Sequence, residues 1–212
     1  MREISRGVFD FAGLLSRGLK QYRLLCTPFR AILILKNFEG GGGKAMRLFI
    51  AIRLNESMRD ALVSVQSFLR ESGVQGNYTR EENLHLTLAF IGEYSDPAHI
   101  LETMRTVDFQ PFSICLEGFG SFGSLYWSGI GESGELSAYG KRLRRSLAEH
   151  GIPFDRKKFS PHITLIRKAS NAGFPGVVIP DAGMDVDTVS LMRSDRGKHG
   201  MIYTEIGCVF AK

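Results

Sequence analysis

The 212-residue chain has few of the features that mark disulfide-rich, membrane-spanning or phosphate-loop proteins. Its three cysteines, Cys26, Cys115 and Cys208, have no close spacing, which argues against a disulfide framework or a zinc knuckle and fits a reducing cytoplasm. No apolar run approaches the ~20 residues of a membrane span, and no P-loop motif is present. Because apolar residues still make up 43% of the chain, the sequence predicts a globular cytoplasmic protein that does not associate with membranes.

The excess of positive charge is confined to the beginning of the chain. The sequence has 27 Lys and Arg against 22 Asp and Glu, but residues 1–45 hold the whole excess, and residues 46–212 are neutral. A protein that binds long duplexes normally carries positive charge on its folded domain. The neutral body therefore indicates a short or terminal piece of an anionic ligand, bound through local basic clusters.

Residues 1–45 form a leader that differs in character from the body, residues 46–212. Met46 begins the first clean strand pattern. The leader is a translated upstream region with Met46 as the true start, an authentic appendage, or a targeting peptide that is rich in Arg but lacks a continuous apolar core. We expect it to be non-native or poorly ordered.

Apolar periodicity in the body predicts three helices and seven strands. The helices are expected over residues 56–72, 97–107 and 134–149, and the strands over residues 47–52, 84–92, 112–119, 125–130, 162–167, 184–193 and 201–210. The last two strands are predicted to form a hairpin. Since helices are few and strands often follow one another, an α+β fold with antiparallel or mixed sheets is favoured over a doubly wound parallel sheet.

Two strands carry the same pattern of His, apolar residue, Thr, apolar residue. The first is His85-Leu86-Thr87-Leu88 and the second is His162-Ile163-Thr164-Leu165. Residues i and i+2 of a strand point to the same face, so each strand presents one imidazole and one hydroxyl while its apolar residues pack behind. The two copies hint at an internal duplication, and we expect the two halves to face each other across a groove.

Two imidazoles and two hydroxyls suit acid–base chemistry at one phosphate. The imidazole pKa of ~6.5 allows one His to be neutral and the other protonated near pH 7. The neutral one can take a proton from water while the charged one gives a proton to the departing oxygen. The Thr hydroxyls can hold the non-bridging oxygens, and no cofactor or metal is expected, because no cluster with metal-ligand spacing lies near either motif.

Each of these residues also has a structural interpretation. A single His-x-Thr is more often a His satisfied near the core, but two copies with matching flanks favour chemistry. His99, His150 and His199 lack such a repeat and are predicted to be structural. Only one of Tyr126 and Trp127 can face the cleft, because they alternate along a strand.

The two motifs, with their flanks Leu84 to Gly92 and Phe159 to Arg167, resemble the signatures of the 2H phosphoesterase superfamily. The branch they are most similar to is the RNA 2′,3′-cyclic phosphodiesterases, long called 2′-5′ RNA ligases. The resemblance covers about residues 46–212. It implies two pseudo-symmetric α+β lobes around a central cleft, and an enzyme that hydrolyses 2′,3′-cyclic phosphate ends of RNA to 2′-phosphomonoesters without an obligate protein partner.

The same resemblance implies roles for individual residues. His85 is expected to be the proton donor to the leaving 3′ oxygen and His162 the base that activates water, with Thr87 and Thr164 binding the phosphate. Arg167 adds charge near the phosphate or is a solvated strand end. Phe159 stacks on a base or packs in the core, and Arg156, Lys157 and Lys158 contact RNA phosphates or form a solvated loop.

Three other functions remain open from the sequence. The same two histidines can act on a small cyclic phosphate, or they can run the reaction in reverse, when a 5′-hydroxyl replaces water and a 2′-5′ linkage forms. A module that binds a nucleotide or an RNA end without turnover is the third, although binding alone does not require a proton donor and a proton acceptor.

Overall fold

The computed structural model describes residues 44–170, 176–198 and 200–212; most of the leader, residues 1–43, therefore lies outside the described residues. Within them the chain forms nine strands. They are β1 (Met46–Arg53), β2 (Asn77–Tyr78), β3 (His85–Tyr94), β4 (Phe112–Phe122), β5 (Leu125–Ile130), β6 (His162–Arg167), β7 (Gly183–Val186), β8 (Thr188–Gly197) and β9 (Gly200–Phe210). Three α-helices accompany them: α1 (Glu56–Glu71), α2 (Pro97–Arg105) and α3 (Gly134–Glu149). None of these helices is long and apolar enough to span a membrane.

Each helix begins at a side-chain cap. The side chain of Asn55 accepts a hydrogen bond from Met58 N, that of Asp96 from His99 N, and that of Ser133 from Leu136 N. Pro97 occupies the first turn of α2, where its missing N–H costs nothing. The three helices confirm the predicted positions to within two residues at each end. One detail was wrong, because Phe68, predicted on the buried stripe of α1, is 43% exposed.

The strands form one sheet whose order divides into two halves of four. The order is β7-β4-β5-β6-β3-β1-β8-β9, with β2 pairing separately with β6. All pairings among the described strands are antiparallel. The strands with the His-x-Thr motifs, β6 and β3, lie at the centre, and each has three further strands on its outer side. This arrangement confirms an α+β fold with two pseudo-symmetric lobes.

The two halves join through a single residue pair. Leu86 of β3 pairs with Ile163 of β6, and further along β6 its partner is β2, at Ile166 and Arg167. Leu86 and Ile163 occupy the same position in their motifs, directly after the His. A local two-fold relation in an antiparallel pair brings equivalent residues opposite each other, so the pseudo-symmetry axis passes between these two residues.

The predicted strand over residues 184–193 was wrong, because it is two strands in different lobes. β7 pairs with β4, whereas β8 pairs with β1 and β9, and only Asp187 separates β7 from β8. In the strand order they stand six places apart, about 29 Å in a flat sheet at ~4.8 Å per strand. One residue cannot cover that distance, so the sheet is strongly curled. The predicted hairpin survives as β8 and β9.

The two faces of the sheet are packed differently. Leu86, Leu88, Ile163 and Leu165 belong to one large hydrophobic core, which also contains the buried sides of the three helices. The opposite face has only a small cluster around Phe49, Ala51 and Met192 — too small a cluster to close that face. Because side chains alternate along a strand, the His and Thr residues of both motifs lie on this second, more open face.

The segment Gly118 to Gly123 has the spacing GxGxxG but does not form a dinucleotide-binding loop. It belongs to β4 and the turn that leads into β5, two antiparallel strands. A dinucleotide-binding loop instead joins a strand to a helix N-terminus. Gly118 has φ +73° and lies between Leu116 and Phe119, where the register of β4 and β5 shifts.

Candidate active site

The pairing of Leu86 with Ile163 fixes the positions of the four motif residues. Counting outward from this pair, His85 lies opposite Thr164, and Thr87 lies opposite His162. All four point to the open face of the sheet, because Leu86 and Ile163 point into the core. The two imidazoles thus occupy one diagonal of a four-residue square and the two hydroxyls the other, with diagonal neighbours about 7–8 Å apart. A phosphate group fits between groups at this separation.

Both imidazoles are held in the same orientation. Nδ1 of His85 lies 2.7 Å from the carbonyl oxygen of Asn83, and Nδ1 of His162 lies 2.8 Å from that of Ser160. A carbonyl can only accept, so in each ring Nδ1 carries a proton and donates it. Nε2 of each neutral ring is then the basic nitrogen. At His85, Nε2 lies 3.0 Å from Oγ1 of Thr87, whose hydroxyl donates to it.

Aromatic rings surround each histidine. Phe49 and Tyr203 lie with ring centroids 4.8 and 5.3 Å from that of His85. Phe122 and Trp127 lie 5.2 and 6.3 Å from that of His162. Each imidazole is therefore held between two rings, which restricts its rotation and leaves the Nε2 edge as its reactive side.

Burial lowers the pKa of His85 below the ordinary value of 6.5, because the imidazolium is poorly solvated between these rings. The hydrogen bond to Asn83 opposes this effect, while the nearby positive charges of Arg167 and of protonated His162 add to it. That His162 affects His85 electrostatically shows that the two imidazoles are close. In the free protein His85 is thus neutral at pH 7.

A cavity of about 1430 Å³ extends from His85 and Thr87 along the half of the sheet formed by β3, β1, β8 and β9. Its lining has seven Lys and Arg side chains against three acidic ones; the basic residues are Lys44, Arg47, Lys157, Arg167, Arg193, Arg196 and Lys198. Since residues 46–212 are neutral overall, positive charge is concentrated at this cavity. His162 and Thr164 do not line it but lie beside it, across the pairing of β3 with β6.

The structure brings together five of the six residues predicted for the site. Arg167 lines the cavity with His85 and Thr87, so its interpretation as a mere solvated strand end was wrong. Phe159 is different: its ring packs against Gly140 of α3, where an added Cβ would lie 3.0 Å from the ring. It belongs to the margin of the main core, and this position does not support stacking on a base.

The predicted basic loop contributes one residue to the cavity. Lys157 lines it, whereas Arg156 lies over the ring of Phe154. Arg144 of α3 holds the loop by donating to the carbonyl oxygens of Asp155 and Lys157 at 2.8 and 2.5 Å.

The remaining predictions concern side chains outside the motifs. Of the alternating pair in β5, Tyr126 is buried in the core and Trp127 faces His162. His99 accepts from or donates to the hydroxyl of Tyr94, and His150 donates to the carbonyl of Ser146, so both have local structural partners. His199 lies outside the described residues.

The sequence gave no indication of several residues that line the site. The rings around the histidines come from β1, the β4–β5 turn and β9, three segments that are distant in sequence. The basic residues Arg193, Arg196 and Lys198 were part of a predicted hairpin with no assigned role. Their close spacing was the one available signal, and it became informative only when the pairing of β8 with β1 placed them beside the cavity.

Comparisons with known proteins agree with this geometry. The family model of the 2′-5′ RNA ligase superfamily matches residues 61–198. The RNA 2′,3′-cyclic phosphodiesterase of Archaeoglobus fulgidus is 40% identical over 131 residues, which covers 58% of this chain and 72% of that protein. That of Aeropyrum pernix is 30% identical over 158 residues, covering 67% and 90%. The crystal structure of apo LigT from Escherichia coli superposes with a TM-score of 0.68 at 27% identity, covering 80% of this chain and 99% of LigT. The chain belongs to the 2′-5′ RNA ligase superfamily.

Proposed function

We propose that the protein hydrolyses 2′,3′-cyclic phosphate ends of RNA to 2′-phosphomonoesters by acid–base catalysis between His85 and His162. The observation that carries the proposal is the register of β3 and β6, which sets two identically oriented imidazoles on one diagonal around a space for a phosphate. The superfamily membership and the named activity of the relatives support the same substrate. The cysteine content favours the cytoplasm as the site of action.

His162 is proposed to act as the base. Its neutral Nε2 takes a proton from a water molecule whose oxygen forms the new bond to phosphorus. The bond between phosphorus and the 3′ oxygen breaks on the opposite side, and His85 gives its Nε2 proton to that oxygen. The product carries a 2′-phosphate and a 3′-hydroxyl. Proton exchange with solvent then restores the starting protonation states.

Thr87, Thr164 and Arg167 are proposed to bind the phosphate. The hydroxyls lie on the second diagonal, where they can donate to the non-bridging oxygens. Arg167 lines the same cavity and adds a positive charge close to His85. These donors are fixed before the substrate arrives, so the charge that develops on the oxygens needs little reorganisation of the site.

The role of His85 as the acid requires that it gain a proton when the substrate binds. Burial keeps the imidazole neutral in the free protein, but a bound phosphate anion favours the charged form and opposes that effect. The hydrogen bond from Nδ1 to Asn83 holds the ring while Nε2 changes its protonation. The protonated Nε2 then points to the leaving oxygen rather than accepting from Thr87.

The proposed activity is tested with the full chain and an oligoribonucleotide that ends in a 2′,3′-cyclic phosphate, with EDTA present. We expect conversion to the 2′-phosphate. Binding without conversion would instead support a module for RNA ends, and loss of activity on addition of EDTA would contradict a metal-independent mechanism. A parallel reaction with an acceptor RNA bearing a 5′-hydroxyl measures any 2′-5′ ligation.

A further inference from the structure

We propose, building on the function above, that the substrate is a single-stranded oligoribonucleotide whose nucleotides on the 5′ side of the cyclic phosphate bind along the surface formed by β1, β8 and β9. We call this surface the strand track. It consists of an apolar floor and a basic rim, both on the face of the sheet that carries His85 and Thr87.

The floor of the strand track is the small hydrophobic cluster on the open face. Phe49, Ala51 and Met192 are buried there, with Phe90 and Tyr203 packed against them. Phe49 contacts both His85 and Tyr203, so the floor begins at the catalytic imidazole. Aromatic rings beside a basic groove are the combination by which proteins bind single-stranded nucleic acid, because every base has a face that can stack.

The rim of the strand track is basic. Arg47, Arg196 and Lys198 line the cavity, and the guanidinium of Arg47 lies 4.8 Å from the centroid of the Phe90 ring. Of the three acidic residues in the cavity lining, Asp155 is paired with Lys157 and Asp195 with Arg193. Arg47, Arg196 and Lys198 have no ion pair among the described residues, so their charges remain available to phosphates.

The register of the strands gives the length of the strand track. Thr87 is paired with Ala51, and Ala51 with Ser190. Arg196 lies six residues beyond Ser190 on β8, about 20 Å at ~3.3 Å per residue. A nucleic-acid strand that is stacked at ~3.4 Å per nucleotide would place about six nucleotides along this distance, and a strand extended to twice that rise about three.

The size of the cavity supports several nucleotides over one. Its volume of about 1430 Å³ exceeds the range of roughly 300–1,000 Å³ that is usual for small-molecule sites. A 2′,3′-cyclic phosphate occupies the 3′ end of an RNA, so every further nucleotide lies on its 5′ side. The strand track therefore selects RNA ends over cyclic mononucleotides.

The test compares kcat/KM of the full chain for 2′,3′-cyclic AMP with that for single-stranded oligoadenylates of two to six nucleotides that end in the same cyclic phosphate. We expect kcat/KM to rise with length and to level off between three and six nucleotides. One stacked base is worth at least about fivefold, so the total gain should exceed tenfold. Equal values for the mononucleotide and the hexanucleotide would overturn the proposal.

Charge removal separates the strand track from the catalytic groups. In the variant Arg196→Gln with Lys198→Gln, the ratio of kcat/KM for the hexanucleotide to that for the mononucleotide should fall at least threefold, and the salt dependence should weaken, by about 0.7 per phosphate contact in log–log slope. The matched control is Arg105→Gln with Lys141→Gln, which removes the same charges from exposed positions on α2 and α3. An equal fall of the ratio in both variants would contradict a specific strand track.

The outcomes also distinguish this proposal from the proposed function. If neither the mononucleotide nor the oligonucleotides are hydrolysed, the proposed activity itself is wrong, and the strand track as a substrate site is wrong with it. If all are hydrolysed at equal kcat/KM, the activity stands and only the strand track is wrong. If a hexanucleotide annealed to its complement is hydrolysed as well as the free strand, the track does not bind single strands.

Discussion

Replacing the two histidines singly and together tests whether they act on the same phosphorus atom. The substitutions His85→Gln and His162→Gln remove the titratable group but keep a side-chain amide that can still donate to the carbonyls of Asn83 and Ser160. Glutamine also leaves less empty space than alanine between the aromatic rings that surround each imidazole. The fold should therefore survive, which circular dichroism and a thermal melt can confirm.

The expected size of the loss follows from the roles that the geometry assigns. A positioned general acid or base contributes about 10²–10⁴-fold to a rate, or about 3–5 kcal/mol of transition-state stabilisation at 1.36 kcal/mol per tenfold. Each single variant should lose that much in kcat. If the two proton transfers are concerted across one phosphate, the second substitution adds little, and the double variant should be close to the worse single variant.

The assay is single-turnover hydrolysis of a cyclic-phosphate oligoribonucleotide at saturating protein. The matched controls are His99→Gln and His150→Gln, because these imidazoles also lie near each other, 6.4 Å apart between centroids, but outside the site. Near-normal turnover in either active-site variant would remove that histidine from its role. Losses that multiply in the double variant, to 10⁴-fold or more as independent steps of about 10²-fold each would give, would refute concerted action on one phosphorus.

Three further substitutions test the surroundings of the site. Arg167→Gln removes a charge that lowers the pKa of His85, so that pKa rises and the decline of kcat/KM at alkaline pH moves to higher pH; an unmoved profile would exclude this coupling. Gln66→Leu leaves two backbone carbonyls without their buried donor and should cost roughly 1–3 kcal/mol in urea unfolding. Gly120→Ala places a Cβ 2.3 Å from the Trp127 ring, so it should lower both stability, by about 1–3 kcal/mol, and kcat; a wild-type melting temperature would contradict this.

Local patterns were sufficient to predict most elements of the fold. The bounds of α3, β5 and β6 were predicted to the residue, because a 3.6-residue period and flanking Gly and Pro residues are properties of the local sequence. The division at Asp187 was missed for the opposite reason. Residues on both sides of it have strand character, and only their partners, β4 for one and β1 for the other, separate them.

The same distinction applies to the site. That His85 and Thr87 share a face follows from the two-residue period of a strand, and the 3.0 Å contact between them confirms it. That this face meets the face of His162 depends on the pairing of Leu86 with Ile163. A shift of one residue would turn one motif into the core, and no local pattern fixes a register between strands 77 residues apart.

The pseudo-symmetry of the sheet supplies two equivalent histidines, but the reaction needs them in opposite protonation states. Both rings are oriented alike by carbonyls two residues before them, so the backbone does not distinguish them. The difference must come from the side chains that each lobe adds. His85 is enclosed by Phe49 and Tyr203 and lies beside Arg167, while His162 is bordered by Phe122 and Trp127. The duplicated strands therefore determine where the two proton transfers take place, and the unequal surroundings determine which histidine is the donor.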